Sequence, residues 1–294
     1  MTSIAFIGLG VMGSPMAAHL ATAGHDVTGY NRSPGKDEPL RSAGGSAADS
    51  VAAAVTGAEI VCTMLPDTPD VDQVLTGPGG VFAHAKPNAL IIDFSTIRPD
   101  STQEFAEQAA QRGFRYLDAP VSGGQAGAAG AALSIMVGGA AEDFAAAGEI
   151  FDHVGKTVVH VGPTGAGQTV KAANQLVVAA NIQALSEAVV FLDAYGVSLP
   201  EALDVLGGGL AGSKVLDQKR ENLLSGTFDP GFRIDLHHKD LGIVSAAARE
   251  AGVVTPVGAL VAQLMAAARA CGDGGLDHSG LLRGVQRLSG RTDT

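Results

Sequence analysis

Ile4-Ala5-Phe6-Ile7-Gly8-Leu9-Gly10-Val11-Met12-Gly13 decides the fold. Four apolar residues read as a strand, the strand runs into G-x-G-x-x-G, and residues 14–23 then read as a helix. Each glycine has a mechanical reason. Gly8 allows a tight turn, Gly10 lets the backbone approach a pyrophosphate, and Gly13 permits close packing of helix on strand. Free N–H groups at the helix start meet the phosphate charge. In a chain with 40 glycines a bare G-x-G-x-x-G is an ordinary turn. A second strand at 26–30 completes a βαβ unit and turns the motif into a dinucleotide fingerprint, with Gly8, Leu9, Gly10, Val11, Met12 and Gly13 expected at the cofactor.

The end of that second strand bears on which dinucleotide binds. A site for NAD normally offers Asp or Glu there for the ribose 2′-hydroxyl, whereas this chain reads Tyr30-Asn31-Arg32-Ser33. Arg32 can stack on adenine and pair with a 2′-phosphate, with Asn31 and Ser33 as further donors. NADP is the expected cofactor, with NAD as the alternative.

Outward from this unit, strand-like runs recur near 59–65, 89–94 and 114–118 with helices between, the rhythm of a doubly wound parallel α/β sheet. Apolar runs at 133–137 and 156–161 extend it, until Gly162-Pro163-Thr164-Gly165-Ala166-Gly167 breaks the pattern. Beyond it, helical runs follow one another near 168–195, 199–206, 213–225, 236–251, 256–271 and 278–289. The expectation is a Rossmann domain over 1–163 and an all-α domain over 164–294. The small residues Ala172, Ala173, Ala179, Ala180 and Ala184 mark the first long helix as a central strut on which another subunit can pack.

A chain of 294 residues is long enough for two domains and a full core. Its formal charge of -11 disfavours nucleic acid. Cys62 and Cys271 have neither metal nor disulfide spacing, and no uninterrupted apolar stretch approaches membrane-spanning length. The expectation is a soluble cytoplasmic protein without metal or membrane.

Hydride transfer to a carbonyl requires a proton donor at the oxygen and a clamp for the rest of the substrate. Lys171 and Asn174, spaced i, i+3 among apolar or small neighbours, share one helix face just past the domain boundary, and Lys171 stands out as a charge open to desolvation. Asp118-Ala119-Pro120-Val121-Ser122-Gly123-Gly124 follows the fifth strand, where open α/β sheets bind ligands. There Ser122, Gly123 and Gly124 offer a compact donor set for a carboxylate. Thr96, after the fourth strand, stands where a nicotinamide ribose would lie. Other clusters read as structural. Asp277-His278-Ser279 is too contiguous for a triad and reads as a helix N-cap, and His237-His238 with Asp240 lacks a convergent ligand set.

Taken together, these residues resemble the β-hydroxyacid dehydrogenase family, nearly end to end. The anchors are Phe6 to Ala17, Met64-Leu65-Pro66, Asp118 to Gly124, Gly165-Ala166-Gly167 through Lys171-Ala172-Ala173-Asn174-Gln175, and Lys239-Asp240-Leu241. The resemblance implies that Lys171 is the acid/base, that Asn174 orients the substrate, that Ser122, Gly123 and Gly124 hold its carboxylate, and that Leu65, Pro66, Thr96 and Lys239 lie at the cofactor. It implies a small hydroxy or oxo acid as substrate and a homodimer or homotetramer as the assembly. Gly207 to Ser213, Phe232 to Leu241 and Asp277 to Ser279 are most similar to members reducing a 2-hydroxy-3-oxo acid to D-glycerate. The rival readings are oxidation of 3-hydroxyisobutyrate, 3-hydroxypropionate or L-serine, and a non-catalytic cofactor-binding module. Such modules replace the lysine that this chain keeps. The chain departs from the family at His19, where Asn is usual; packing is the expected consequence.

Overall fold

The computed structural model describes residues 1–291. By compactness the chain divides at Lys171–Ala172. The sequence break at 162–167 lies a little earlier, because the first turn of the helix Ala166–Ala194 is bonded to the end of the sheet.

The first unit is built on nine strands: β1 Ser3–Ile7, β2 Asp26–Tyr30, β3 Ser46–Ala47, β4 Ile60–Thr63, β5 Leu90–Asp93, β6 Arg115–Asp118, β7 Val121–Ser122, β8 Leu133–Gly139 and β9 Gly155–Gly162. They pair in the order β3-β2-β1-β4-β5-β6-β8-β7, with β9 on β8. From β3 to β6 every pair is parallel. β8 departs from the parallel rhythm, running antiparallel to β6 and β7 and parallel to β9. Only residues 123–132 join β7 to β8, fewer than the dozen or more that a parallel crossover takes.

Side-chain alternation splits this sheet's apolar residues between two cores. Ile4 and Phe6 of β1 join Leu9, Met16, Leu20, Phe94 and Phe151 on one face. Ala5 and Ile7 join Val55, Val61, Val71, Ile91 and Phe105 on the other. Burial on both faces is what makes β1, β4 and β5 read as unbroken apolar runs.

The second unit is helical: the remainder of Ala166–Ala194, then Leu199–Gly208, Lys214–Ser225, Ile234–Glu250, Pro256–Ala270, a 3₁₀ turn His278–Gly280 and Leu281–Leu288. The starts follow local chemistry. Ser213 Oγ accepts the Leu216 N–H (3.1 Å), and Pro256 opens its helix where a missing N–H costs nothing. Ala179 and Ile182 pack with Ile234, Leu241, Val261 and Met265, and Leu185 and Val189 pack with Leu203, Leu216, Leu223 and Phe228. By length and composition the helix Ala166–Ala194 is apolar enough to cross a membrane, although Lys171, Asn174, Gln175, Asn181, Gln183 and Glu187 interrupt its apolar run, and the core helix of a globular domain meets the same measure. That same helix carries the buried polar residues Gln168, Lys171 and Gln175.

Candidate active site

At the carboxyl end of β1 the glycine loop is fixed by contacts that leave no room for side chains. Gly8 has φ +104°, and a Cβ there would lie 2.3 Å from the Met64 carbonyl oxygen. A Cβ on Gly13 would lie 1.9 Å from the Gly8 carbonyl oxygen and 2.9 Å from Phe6 Cε1. A Cβ on Gly10, by contrast, would meet nothing within 4 Å: this is the loop's open side. The helix Gly13–Thr22 that follows has no side-chain cap; its Ser14 N–H donates to the Gly10 carbonyl (3.0 Å) and Pro15 carries no N–H, so the donors facing a ligand are those of the glycine loop itself. These residues fit a dinucleotide pyrophosphate.

Asn31 anchors this loop to the end of β2. The Leu9 N–H donates to Asn31 Oδ1 (2.9 Å), and Asn31 Nδ2 donates to the Ser33 carbonyl (2.8 Å). Arg32 is 82% exposed in its side chain and pairs with Asp70 at 3.1 Å. An exposed pair of this kind contributes about 0–1 kcal/mol, so exchanging Asp70 for a phosphate costs little. His19 Nε2 donates to the Ala129 carbonyl (3.0 Å), a packing contact of the same helix.

Where β4, β5 and β6 end, buried polar groups interlock. Asp93 accepts from Thr63 Oγ1 (2.7 Å), the Ser95 N–H (3.0 Å) and the Tyr116 hydroxyl (3.3 Å). Ser95 Oγ accepts the Leu65 N–H (2.9 Å), which ties the Met64-Leu65-Pro66 segment to β5. Asp118 turns its carboxylate toward the first turn of the long helix, where Oδ1 takes the Gly165 N–H (2.8 Å) and Oδ2 the Gln168 N–H (3.0 Å). Gln168 then grips the loop after β5: its Oε1 accepts the Ile97 N–H (3.1 Å) and its Nε2 donates to the Ser95 carbonyl (2.8 Å). Thr96 lies between these two anchors. Burial pushes the Asp93 and Asp118 carboxyls above the usual range, against the pull of those hydrogen bonds. Burial and the neighbouring Asp93 and Asp118 charges push the Tyr116 phenol well up as well.

Lys171 stands one turn beyond Gln168. Gln168, Lys171 and Gln175 follow at i, i+3 and i+7, so they form one buried polar stripe along the first half of the helix, 1%, 6% and 4% exposed. Ser122, at the end of β7, is partly buried, and Gly123 and Gly124 adopt φ +138° and +62°. The predicted loop residues 8–13 and 31–33, with Leu65, Pro66, Thr96, Ser122, Gly123, Gly124 and Lys171, therefore all belong to the first unit, most of them at the carboxyl ends of its strands.

Asn174 and Lys239 belong to the second unit. Asn174 Nδ2 donates to Gln175 Oε1 (2.8 Å), Gln175 Nε2 donates to Asp240 Oδ2, and Asp240 Oδ1 pairs with Lys239 Nζ at 2.8 Å. His237 supports this chain from below. Its Nε2 donates to the Gln175 carbonyl (3.1 Å), which leaves a neutral ring's Nδ1 to accept from His278 Nδ1 at 3.0 Å. Asp277 does cap the turn at His278–Gly280 through the Ser279 N–H (3.1 Å), and it also takes Lys219 Nζ (2.8 Å) and the N–H groups of Gly231 and Phe232. Although burial opposes it, the His278 charge and the Lys219 and Ser279 bonds hold the Asp277 carboxyl down at about 2. This unit also holds a cavity of about 830 Å³ lined by Val189, Phe228, Leu276, Arg283 and Arg291, among others, none of them a predicted site residue.

Gln168, Gln175, Asp93 and His278 were not singled out from sequence as supporting residues. The available signal was polar residues at i, i+3, i+7 on an alanine-rich helix; their partners lie up to 73 residues away and carry no local mark.

Residues 3–162 match the family model described as the NAD binding domain of 6-phosphogluconate dehydrogenase, and residues 165–285 match the NAD-binding domain of NADP-dependent 3-hydroxyisobutyrate dehydrogenase. The 2-hydroxy-3-oxopropionate reductase of Escherichia coli K12 is 40% identical over 286 residues, covering 97% of this chain and 98% of the relative. Among solved structures, Mycobacterium tuberculosis 3-hydroxyisobutyrate dehydrogenase with L-serine is 35% identical with a TM-score of 0.87, covering 96% and 98% of the two chains. Psf3 in complex with NADP+ and 2-OPP is 25% identical, also at a TM-score of 0.87, covering 95% and 98%.

Proposed function

Because this chain belongs to the β-hydroxyacid dehydrogenase family, and so is an NAD(P)-dependent oxidoreductase of hydroxyacids, we infer that it reduces 2-hydroxy-3-oxopropionate to D-glycerate. The observation that carries the chemistry is Lys171, buried among small and apolar neighbours between two buried glutamines of the same helix. An ammonium placed there supplies a proton where water is scarce. The substrate reading is supported by the near-full-length relative of that activity.

The glycine loop and its neighbours would hold NAD(P), which when bound would supply or accept the hydride at the substrate's terminal carbon. As negative charge grows on the aldehyde oxygen, Lys171 donates its proton, and in the reverse direction the neutral amine takes it back. Asn174, three residues on along the same helix face, orients the hydroxyl-bearing carbon. The Ser122 hydroxyl and the backbone N–H groups of Gly123 and Gly124 take the carboxylate, their positive φ angles bringing main chain rather than side chain to the ligand. Arg32, paired with Asp70 at the surface, turns to a 2′-phosphate and makes NADPH the preferred reductant. Thr96, Leu65, Pro66 and Lys239 complete the cofactor contacts.

Both cysteines are free, which suits a reducing cytoplasm. Val177, Phe191, Tyr195, Val257 and Leu260 are exposed in the helical unit, and the reading extends to a homodimer or homotetramer joined there, checked by light scattering.

The test follows nicotinamide absorbance with NADPH and NADH, using tartronate semialdehyde, methylmalonate semialdehyde and succinate semialdehyde in parallel, and L-serine in the oxidative direction. The expected result is the highest kcat/KM with tartronate semialdehyde and NADPH. Preference for methylmalonate semialdehyde, or for L-serine as the relative's bound ligand suggests, moves the substrate to the 3-hydroxyisobutyrate side of the family. Negligible rates with all of them remove the substrate class.

A further inference from the structure

At the opposite end of the sheet from the glycine loop, three side chains that the chemistry above leaves unused come together. The helix Gly13–Thr22 is stopped by Gly24 in the left-handed region, with the Gly24 N–H on the Ala21 carbonyl (3.0 Å) and the His25 N–H on the Leu20 carbonyl (3.2 Å). This stop turns the next residue back toward the core. His25 is 6% exposed, and among the described residues neither of its ring nitrogens has a hydrogen-bond partner. Facing it is the helix Gly148–Val154, whose Ile150, Phe151 and Val154 join the core that holds Leu20. Glu149 and His153, one turn apart on that helix, point to the His25 ring. Ligand atoms of His25, Glu149 and His153 all lie within 4.8 Å of one another. The two imidazoles meet edge to face, 5.6 Å between centroids.

Ring packing accounts for the carbon edges of His25 but not for two buried nitrogens without partners, an arrangement proteins rarely tolerate. A cation accepting a nitrogen lone pair satisfies one, and the Glu149 carboxylate supplies charge compensation. We propose that His25, Glu149 and His153 form a binding site for a divalent cation of the zinc class. Two imidazole nitrogens and one carboxylate select such an ion over magnesium or calcium, which require mostly oxygen ligands. Tetrahedral zinc with ligands at ~2.1 Å holds its ligand atoms ~3.4 Å apart, so the cluster closes by about an ångström on binding. Glu149 is exposed and His153 partly exposed, so both can make that movement while His25 stays fixed. Water takes the fourth position. The five residues of β2 separate His25 from the loop at Asn31, roughly 20 Å along the strand, so the ion is a structural clasp between the turn before β2 and the helix Gly148–Val154.

The full-length chain, stripped with a chelator and dialysed, is titrated with Zn²⁺ by calorimetry and with Co²⁺ by visible absorption. The expected result is one ion per chain, four-coordinate Co²⁺ bands, and a melting temperature raised by about 5 °C when Zn²⁺ is at a hundredfold excess over Kd. Glu149→Gln is exposed and safe for folding; it weakens Zn²⁺ about tenfold, and His153→Gln weakens it ~100-fold, with circular dichroism of the apo forms unchanged. Cys271→Ser, far along the chain in the other unit, leaves affinity unaltered. Wild-type protein that takes up no Zn²⁺ at about 100 µM overturns the proposal. So does undiminished affinity in His153→Gln, or loss of binding in Cys271→Ser.

Discussion

The two halves of the helix Ala166–Ala194 both bury polar side chains, yet they satisfy them in different ways. In the first half Gln168 and Gln175 reach across to other elements, Gln168 to Ser95 and Ile97, and Gln175 to Asp240. In the second half Ser186 Oγ returns to the Ile182 carbonyl and Gln183 Nε2 to Glu187, one turn away on the same helix. A bond closed within one helix satisfies a donor and fixes nothing else. A bond to a distant strand or helix fixes a geometry, and Lys171 sits in the half where geometry is fixed. The apolar residues repeat the contrast, since the bulky core contacts of Ile182, Leu185 and Val189 belong to the second half.

The sharpest way to break this comparison is to remove the buried charge. Lys171→Ala is expected to lower kcat by about 10²–10⁴ while leaving urea stability close to wild type. Turnover within about threefold of wild type, at saturating substrate, would mean that the polar half is only scaffolding. The complementary change is Ile182→Ala, at a position 1% exposed. It is expected to cost ~2–5 kcal/mol in urea unfolding with kcat per folded chain unchanged, and a fall in kcat instead would blur the division of labour.

Asp277 sharpens the contrast from outside the helix, as a buried charge whose work is structural. Its carboxyl is held at about 2 in the folded chain, below its unfolded value, so it stabilises the fold above about pH 4 and that stabilisation is lost as pH falls toward 2. The difference corresponds to roughly 2 kcal/mol. Asp277→Asn should flatten the acid limb of a stability-against-pH curve measured by denaturant unfolding; an unchanged limb would assign acid sensitivity elsewhere. Smallest is Arg32→Asp at the surface. It should raise KM for NADPH relative to NADH by about tenfold, with no measurable change in stability, and an unchanged ratio removes Arg32 from cofactor choice.

Much of this was legible because it is local. The strand, three glycines and helix of residues 3–22 announce themselves by spacing, and β1, β2 and β9 fall within a residue of the apolar runs that predict them. β3 and β7 were not, since two residues carry no periodicity, and with β7 the antiparallel turn of β8 was missed. Lys171 was visible as a charge among alanines. What holds it was not: Asp118 reads as part of a substrate motif, while its carboxylate caps a helix start 47 residues on. Likewise His237 and His278, set aside singly, meet across 41 residues. Contacts closed by the fold, unlike those closed by a turn, leave no signature in a window of sequence.

The amide of Asn31 has a consequence for anyone wishing to recode the coenzyme. Because its oxygen restrains the phosphate loop at Leu9 and its nitrogen restrains the backbone at Ser33, the position is a rivet rather than a selector. A carboxylate installed there to court an unphosphorylated ribose would keep the first bond and forfeit the second, loosening the platform it was meant to retune. Redesign has its freedom one step along, at Arg32, where the side chain is tethered to a solvent-washed neighbour.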